Sequence, residues 1–283
     1  MRLRSAIFAT SLASAAIWAW VRPVSAQWLS YPDSRTPRTR DGKPNLSAPA
    51  PRTHDGKPDF SGVWKAEPTP LSEIEQVVPH FGDIQIDEQV ASKYILSVFW
   101  GLKPGEEPMT SEGASLMRRY RPENAAHFNC LPAGPPFAMF IAPLKILQTP
   151  TEMMIVFELH DPPRQIYLDS RPLPKDPEPS WMGYSSGKWQ RDTLVVETVG
   201  FNGKAALDGF GHPRSESMHI TERFHRRDFG YMDVEMTFDD PKYYTRPFKI
   251  KSGFRLIPDS DILEYVCREN EQDRAHVEIE NPK

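Results

Sequence analysis

One stretch of this chain gathers a histidine, an arginine, a serine and an acid around two glycines: Gly209-Phe210-Gly211-His212-Pro213-Arg214-Ser215-Glu216. Imidazole titrates near neutrality, so His212 is the first choice for proton transfer, with Glu216 to orient it. Loops carried by a rigid scaffold often hold reactive groups, although a solvent-exposed turn accounts for the same residues. Glu222 is the second choice. In the segment from His219 to Arg226, Ile220 and Phe224 mark an apolar face, and Glu222 lies between them on that face. A carboxylate turned inward has a raised pKa unless a cation or hydrogen bonds hold its charge, and a raised value suits a general acid or base. Arg223 is next in sequence but on the opposite face, so alternation does not make it Glu222's partner. An edge position, or a basic neighbour across the sheet, is the plainer reading of Glu222.

Other polar residues would serve binding. Glu158 and His160 share a strand face with Met154 and Val156, a mixture that suits either a cavity wall or an outer surface, and Glu197 allows the same two readings. Asp169 and Arg171 would grip a polar group or pair with each other. Tyr184 would donate a phenolic hydrogen bond into a pocket, and Arg223 would stabilise developing charge. The chain has no Gly-x-Ser-x-Gly elbow, phosphate-cradling glycine loop, His-Glu-x-x-His or Cys-x-x-Cys, which argues against the usual serine hydrolases, nucleotide enzymes and zinc proteases. His219 and His225 lie on one strand face but about 20 Å apart, too far for one metal. No metal site and no cofactor are expected.

The elements that must position these groups are mostly strands. Period-two patterning runs through Leu144 to Gln148, Thr151 to His160, Gln165 to Asp169, Tyr184 to Trp189, Thr193 to Val199, His219 to Arg226, Tyr231 to Phe238, Phe248 to Leu256 and Ile262 to Arg268, after an opening strand near Gly62-Val63-Trp64. Met232, Val234, Met236 and Phe238 alternate with Asp233, Glu235 and Thr237, so one face is dry and one wet. Such a set predicts a mainly β fold, an antiparallel meander closing into a barrel, with a sandwich as the alternative. A minor helix is expected over 87–100. Residues 129–143, with four prolines, read as loop. Residues 27–60 read as a Pro-rich leader that carries a duplicated turn, Asp41-Gly42-Lys43-Pro44 and Asp55-Gly56-Lys57-Pro58, and tethers a single β domain over 61–283.

Residues 1–26 have the three parts of an export signal: Arg2 and Arg4, an apolar run from Ala6 to Trp20, and Val24-Ser25-Ala26 before a cleavage point ahead of Gln27. Cleavage removes Arg2, Arg4 and Arg22 from 34 basic residues, leaving 31 against 38 acidic ones, a charge of −7 that argues against nucleic acid as a partner. No other stretch is long and apolar enough to embed the chain in a bilayer. Cys130 and Cys267, the only cysteines, lie beyond the cut in a compartment that favours pairing. A bridge would close a loop of about 137 residues, for which the chain-entropy model gives at most ~5 kcal/mol. Two free buried thiols remain the alternative.

The strings Asp55-Gly56-Lys57-Pro58-Asp59-Phe60-Ser61-Gly62-Val63-Trp64, Gly187-Lys188-Trp189-Gln190-Arg191-Asp192-Thr193-Leu194-Val195-Val196-Glu197-Thr198 and Thr221-Glu222-Arg223-Phe224 together resemble a large family of secreted bacterial proteins of unassigned function, over roughly residues 53 to 270. The resemblance implies export and a β fold and supplies no catalytic residue. That family has glycine where Ser170 and Arg191 stand here, which implies looser turns at those two points. Gly62-Val63-Trp64 is also similar to the Gly-x-Trp opening of lipocalin-like barrels.

Three functions follow, in descending order. The first is a periplasmic or secreted protein that binds a small, largely apolar molecule in its barrel or a cleft. The second is a cofactor-free isomerase, hydratase or cyclase that moves a proton with His212 or Glu222. The third is an envelope-interaction protein without a pocket.

Overall fold

A computed structural model describes residues 31–77, 92–103, 105–267 and 269. Nine strands close into one barrel: β1 (Gly62–Ala66), β2 (Leu144–Gln148), β3 (Glu152–Phe157), β4 (Arg164–Tyr167), β5 (Tyr184–Gln190), β6 (Thr193–Val199), β7 (His219–Arg226), β8 (Tyr231–Asp239) and β9 (Phe248–Leu256). The choice of a barrel over a sandwich is right. Closure comes from β1, which pairs with β2 at Trp64↔Leu144 and with β9 at Trp64↔Leu256, leaving no free sheet edge.

The meander is broken once. Strands β4 and β5 run parallel, with Ile166 opposite Ser185, because residues 168–183 carry the chain back along the barrel before β5 begins. Elsewhere neighbours are antiparallel, and the dry face points inward as the alternation requires: Val234, Met236 and Phe238 have no exposed surface.

Among the described residues four short α-helices lie in the connection between β1 and β2: α1 (Leu71–Ile74), α2 (Lys93–Leu96), α3 (Ser111–Arg119) and α4 (Phe137–Ile141). Helix α3 starts where the Thr110 side chain accepts from the Gly113 N–H at 3.1 Å, and it ends on Arg118 and Arg119, cations that suit the negative end of the helix dipole. The helix expected over 87–100 is reduced to α2, its first residues, 87–91, lying outside the described set. Residues 129–143 are not all loop. Between Pro136 and Pro143 lie six residues free of proline, and the first five of them form α4. The expected strand from Ile262 to Arg268 is absent: residues 262–267 run as irregular chain, and Arg268 is outside the described residues. No helix among the described residues is long and apolar enough to cross a membrane.

Side chains fill the barrel between two closed ends. At one end Phe137, Ala138, Met139 and Phe140 of α4 are buried, with Phe140 stacked 5.9 Å from Phe254. The leader closes the other end. Phe60 is wholly buried, stacked on Trp189 at 5.7 Å and edge-on to Phe224 at 6.2 Å, and its carbonyl accepts from the Trp64 indole at 2.8 Å. Burial of a side chain this large contributes about 2–3 kcal/mol.

The duplication in the leader recurs as geometry. Residues 37–44 and 51–58 both read Pro-Arg-Thr-x-Asp-Gly-Lys-Pro, and each copy folds into the same turn, with Thr39 N–H donating to Lys43 O at 2.9 Å and Thr53 N–H to Lys57 O at 2.8 Å. The arginine of each copy reaches an aspartate of the barrel: Arg38 to Asp259 at 2.7 Å and Arg52 to Asp192 at 2.8 Å. Residues 31–60 therefore lie clasped against the leader end of the barrel.

Candidate functional site

Glu222 points inward and is fully buried, as its place between Ile220 and Phe224 requires. Its partner is Arg164 at the start of β4, whose Nη1 donates to Glu222 Oε1 at 2.9 Å and whose Nη2 donates to Oε2. The same guanidinium donates to Thr198 Oγ1 at 2.9 Å and Ser185 Oγ at 3.3 Å, and those two hydroxyls bond each other at 2.9 Å. Both carboxylate oxygens thus accept from one guanidinium in a fully buried place. The signal for Arg164 was present in the sequence: two residues before the inward Ile166, alternation puts it on the dry face.

His212 is also buried, but in a setting different from the expected one. Glu216 does not orient it. Glu216 is exposed and lies 3.9 Å from Lys242, whereas the His212 ring pairs through Nδ1 with Asp208 at 2.6 Å. Asp208 accepts as well from the Val98 N–H at 2.7 Å and the His212 N–H at 3.2 Å. The loop that reads as an exposed, reactive turn is a buried clasp. Gly211 holds φ of 85°, and a Cβ there would collide with the Tyr120 ring. Arg214 donates to the Pro135 carbonyl at 2.6 Å and stacks over Phe201 at 4.6 Å, and its burial pushes its pKa down to about 10. His212 Nε2 and Tyr120 Oη are buried without a hydrogen-bond partner. A cavity of about 10 Å³, room for roughly one water, touches Tyr120 and Asp208 but is not lined by His212.

The remaining sequence-stated residues are dispersed and do not converge on one site. Tyr184 is exposed and lines neither the 680 Å³ cleft nor the 10 Å³ cavity. Arg223 lies on the outer face and donates to Gln190 at 3.2 Å. Asp169 and Arg171 pair with each other at 2.6 Å, the guanidinium 3.5 Å above the Tyr167 ring. The arginine holds the Asp169 carboxyl below its usual range. Glu158 accepts from the Leu263 N–H at 3.0 Å, and His160 lies 3.0 Å from the Leu131 carbonyl and 6.1 Å from the Tyr265 ring. These two fasten the chain after β9 beside the bridge between Cys130 and Cys267, whose Cα atoms are 5.8 Å apart. Among the described residues no group of three or more His, Cys, Asp or Glu is placed to hold a metal.

A much roomier concavity than the one beside Tyr120 lies at the leader end, away from α4 and the His212 clasp. An open cleft of about 680 Å³ is bounded by the barrel wall at Val63 and Leu256, the leader from Tyr31 to Thr36, and the segment 257–261. Phe229 and Ile257 add apolar floor. Three ion pairs stand in or beside it: Arg35 with Asp33 at 2.7 Å, Arg38 with Asp259 at 2.7 Å and Lys145 with Asp261 at 2.6 Å. Arg226, the last residue of β7, closes its inner side. None of these residues was singled out from sequence, since the cleft joins segments more than two hundred positions apart. Alternation after Ile220, Glu222 and Phe224 does, however, place Arg226 on the inner face.

Comparison of the chain with protein-family models, with curated proteins and with solved structures finds no match in any of the three.

Proposed function

We propose that this is an exported protein, cut after Ala26, that binds a small molecule in the cleft at the leader end of its barrel. The observation that carries the reading is the cleft itself. Its volume, about 680 Å³, falls within the ~300–1,000 Å³ usual for small-molecule sites, and an apolar floor with charged groups at fixed points is the usual lining. The barrel interior is the weaker location, because its inward side chains pack into one continuous buried cluster. The disulfide supports export, since such bridges persist mainly in oxidising compartments. The secreted family that the sequence resembles fits the same reading.

Native mass spectrometry of protein recovered from the envelope or medium of its own source tests it. The expected result is a mature chain beginning at Gln27 with a co-purifying small molecule that is absent from an Ile257→Trp variant, in which the indole occupies the cleft. A chain retaining residues 1–26 would refute export, and a ligand retained by the Trp variant would refute the cleft.

The second reading, acid-base catalysis, has one observation in its favour: the Asp208–His212 pair with Nε2 unpartnered. The proton-transfer role assigned to Glu222 draws no support from its closed pairing with Arg164.

A further inference from the structure

Among the described residues the charged groups around the cleft are ion-paired at bonding distance except Arg226 and Asp59. Asp33, Asp259 and Asp261 each have a cation of the cleft or its rim as a bonded partner. Arg226 has none. Its hydrogen bonds go to backbone carbonyls alone: Nε donates to Asp228 O at 3.1 Å, Nη1 to Asp59 O and Nη2 to Phe229 O. A guanidinium carries five N–H groups, so these three bonds leave two N–H groups without a partner. The group is 4% exposed and its plane is fixed by the Trp64 ring at 4.8 Å and the Phe229 ring at 5.4 Å. Its burial pushes the pKa down to about 10, so it stays charged at neutral pH. Among the described acids that line the cleft, Asp59 alone has no cation at bonding distance, and its Oδ1 accepts from the Ser61 N–H at 2.8 Å.

From this arrangement, and resting on the cleft as the binding site, we infer that the ligand is a small organic carboxylate, its acid group taken by Arg226 and its hydrocarbon body lying on Val63, Phe229, Leu256 and Ile257. A rigid guanidinium with one N–H group to spare on each Nη matches a carboxylate better than a hydroxyl or amide does. Partial burial strengthens that bond by lowering the local dielectric. The apolar floor sets the remainder of the molecule as an aromatic or branched aliphatic group.

Isothermal titration of the mature protein with phenylacetate and 4-methylpentanoate, each against its neutral amide, tests the inference. The expected result is binding of the acids about tenfold or more tighter than the amides, a preference that shrinks as salt rises and disappears in Arg226→Gln. Because Arg226 also ties three carbonyls, that variant is checked for folding by circular dichroism; if it does not fold, the acid-to-amide ratio in the unaltered protein decides. Amides that bind as tightly as acids, with both lost in Ile257→Trp, would overturn the carboxylate and leave the cleft standing. Binding that is unchanged in Ile257→Trp would remove the cleft as well. Absence of binding by either acid would overturn the carboxylate inference alone, the co-purification experiment then deciding on the cleft.

Discussion

Arg164 and Glu222 form a two-bond ion pair inside the barrel, 1% and 0% exposed, on strands that are not neighbours in the sheet. Attraction between buried charges roughly offsets their lost hydration, so the pair adds little net stability, but either member alone would be a bare charge in an apolar interior. Glu222→Leu is therefore expected to cost about 3–5 kcal/mol in chemical denaturation, and the double variant with Arg164→Met to recover most of it. A double variant as unstable as the single one would contradict this account.

Asp208 satisfies three donors at once: the Val98 and His212 N–H groups and the His212 ring. Asp208→Ala leaves all three unpaired in a buried place and should cost about 3 kcal/mol, measured by urea denaturation. Asp208→Asn keeps an acceptor oxygen and should cost less.

Ser170 and Arg191 hold left-handed turns, with φ of 64° and 58°. A side chain in that region costs about 1–2 kcal/mol, partly offset because glycine loses more freedom on folding. Each change to glycine should stabilise by roughly 0.5–1 kcal/mol, read as a rise of about 1–3 °C in melting temperature. A fall in either variant would show that the serine or arginine makes a compensating contribution.

Cys130 and Cys267 close a loop of 137 positions and pin the chain after β9, which also lines the cleft. Replacing both by alanine should cost up to about 5 kcal/mol. Limited proteolysis should then cut beyond Leu256 first, since residues 263–266 are exposed and lie outside the sheet.

His127 stacks on Phe137 at 4.6 Å in the α4 end cap, and burial, then the nearby His160, push its pKa down from the usual 6.5 to about 4. The unfolded chain takes up this proton near pH 6.5 while the folded one resists until about pH 4, so the unfolded state gains protons first as the pH falls. Stability is full above pH 6.5 and declines towards pH 4, a decline that His127→Phe should flatten in melting curves.

By itself the order of residues determined that the protein is mainly β, with a barrel favoured over a sandwich, and which strand side chains face inward, while closure into the barrel was decided by the tertiary structure. Strand alternation is local and has a period of two, so Ile220-x-Glu222-x-Phe224 is enough to send Glu222 to the interior, and by the same rule Arg164 and Arg226 were legible too. The cysteine pairing was favoured by the compartment and by there being only two cysteines, and the structure decided it against two free thiols by bringing their Cα atoms within 5.8 Å. Tertiary structure decided what each inward polar group meets. Arg164 reaches Glu222 across 58 positions, Asp208 rather than Glu216 holds His212, and the cleft joins Tyr31 to Asp261. Such partnerships depend on which strands the closed barrel sets beside one another and on how the leader folds back over its end, and a local pattern of hydrophobicity carries no record of either.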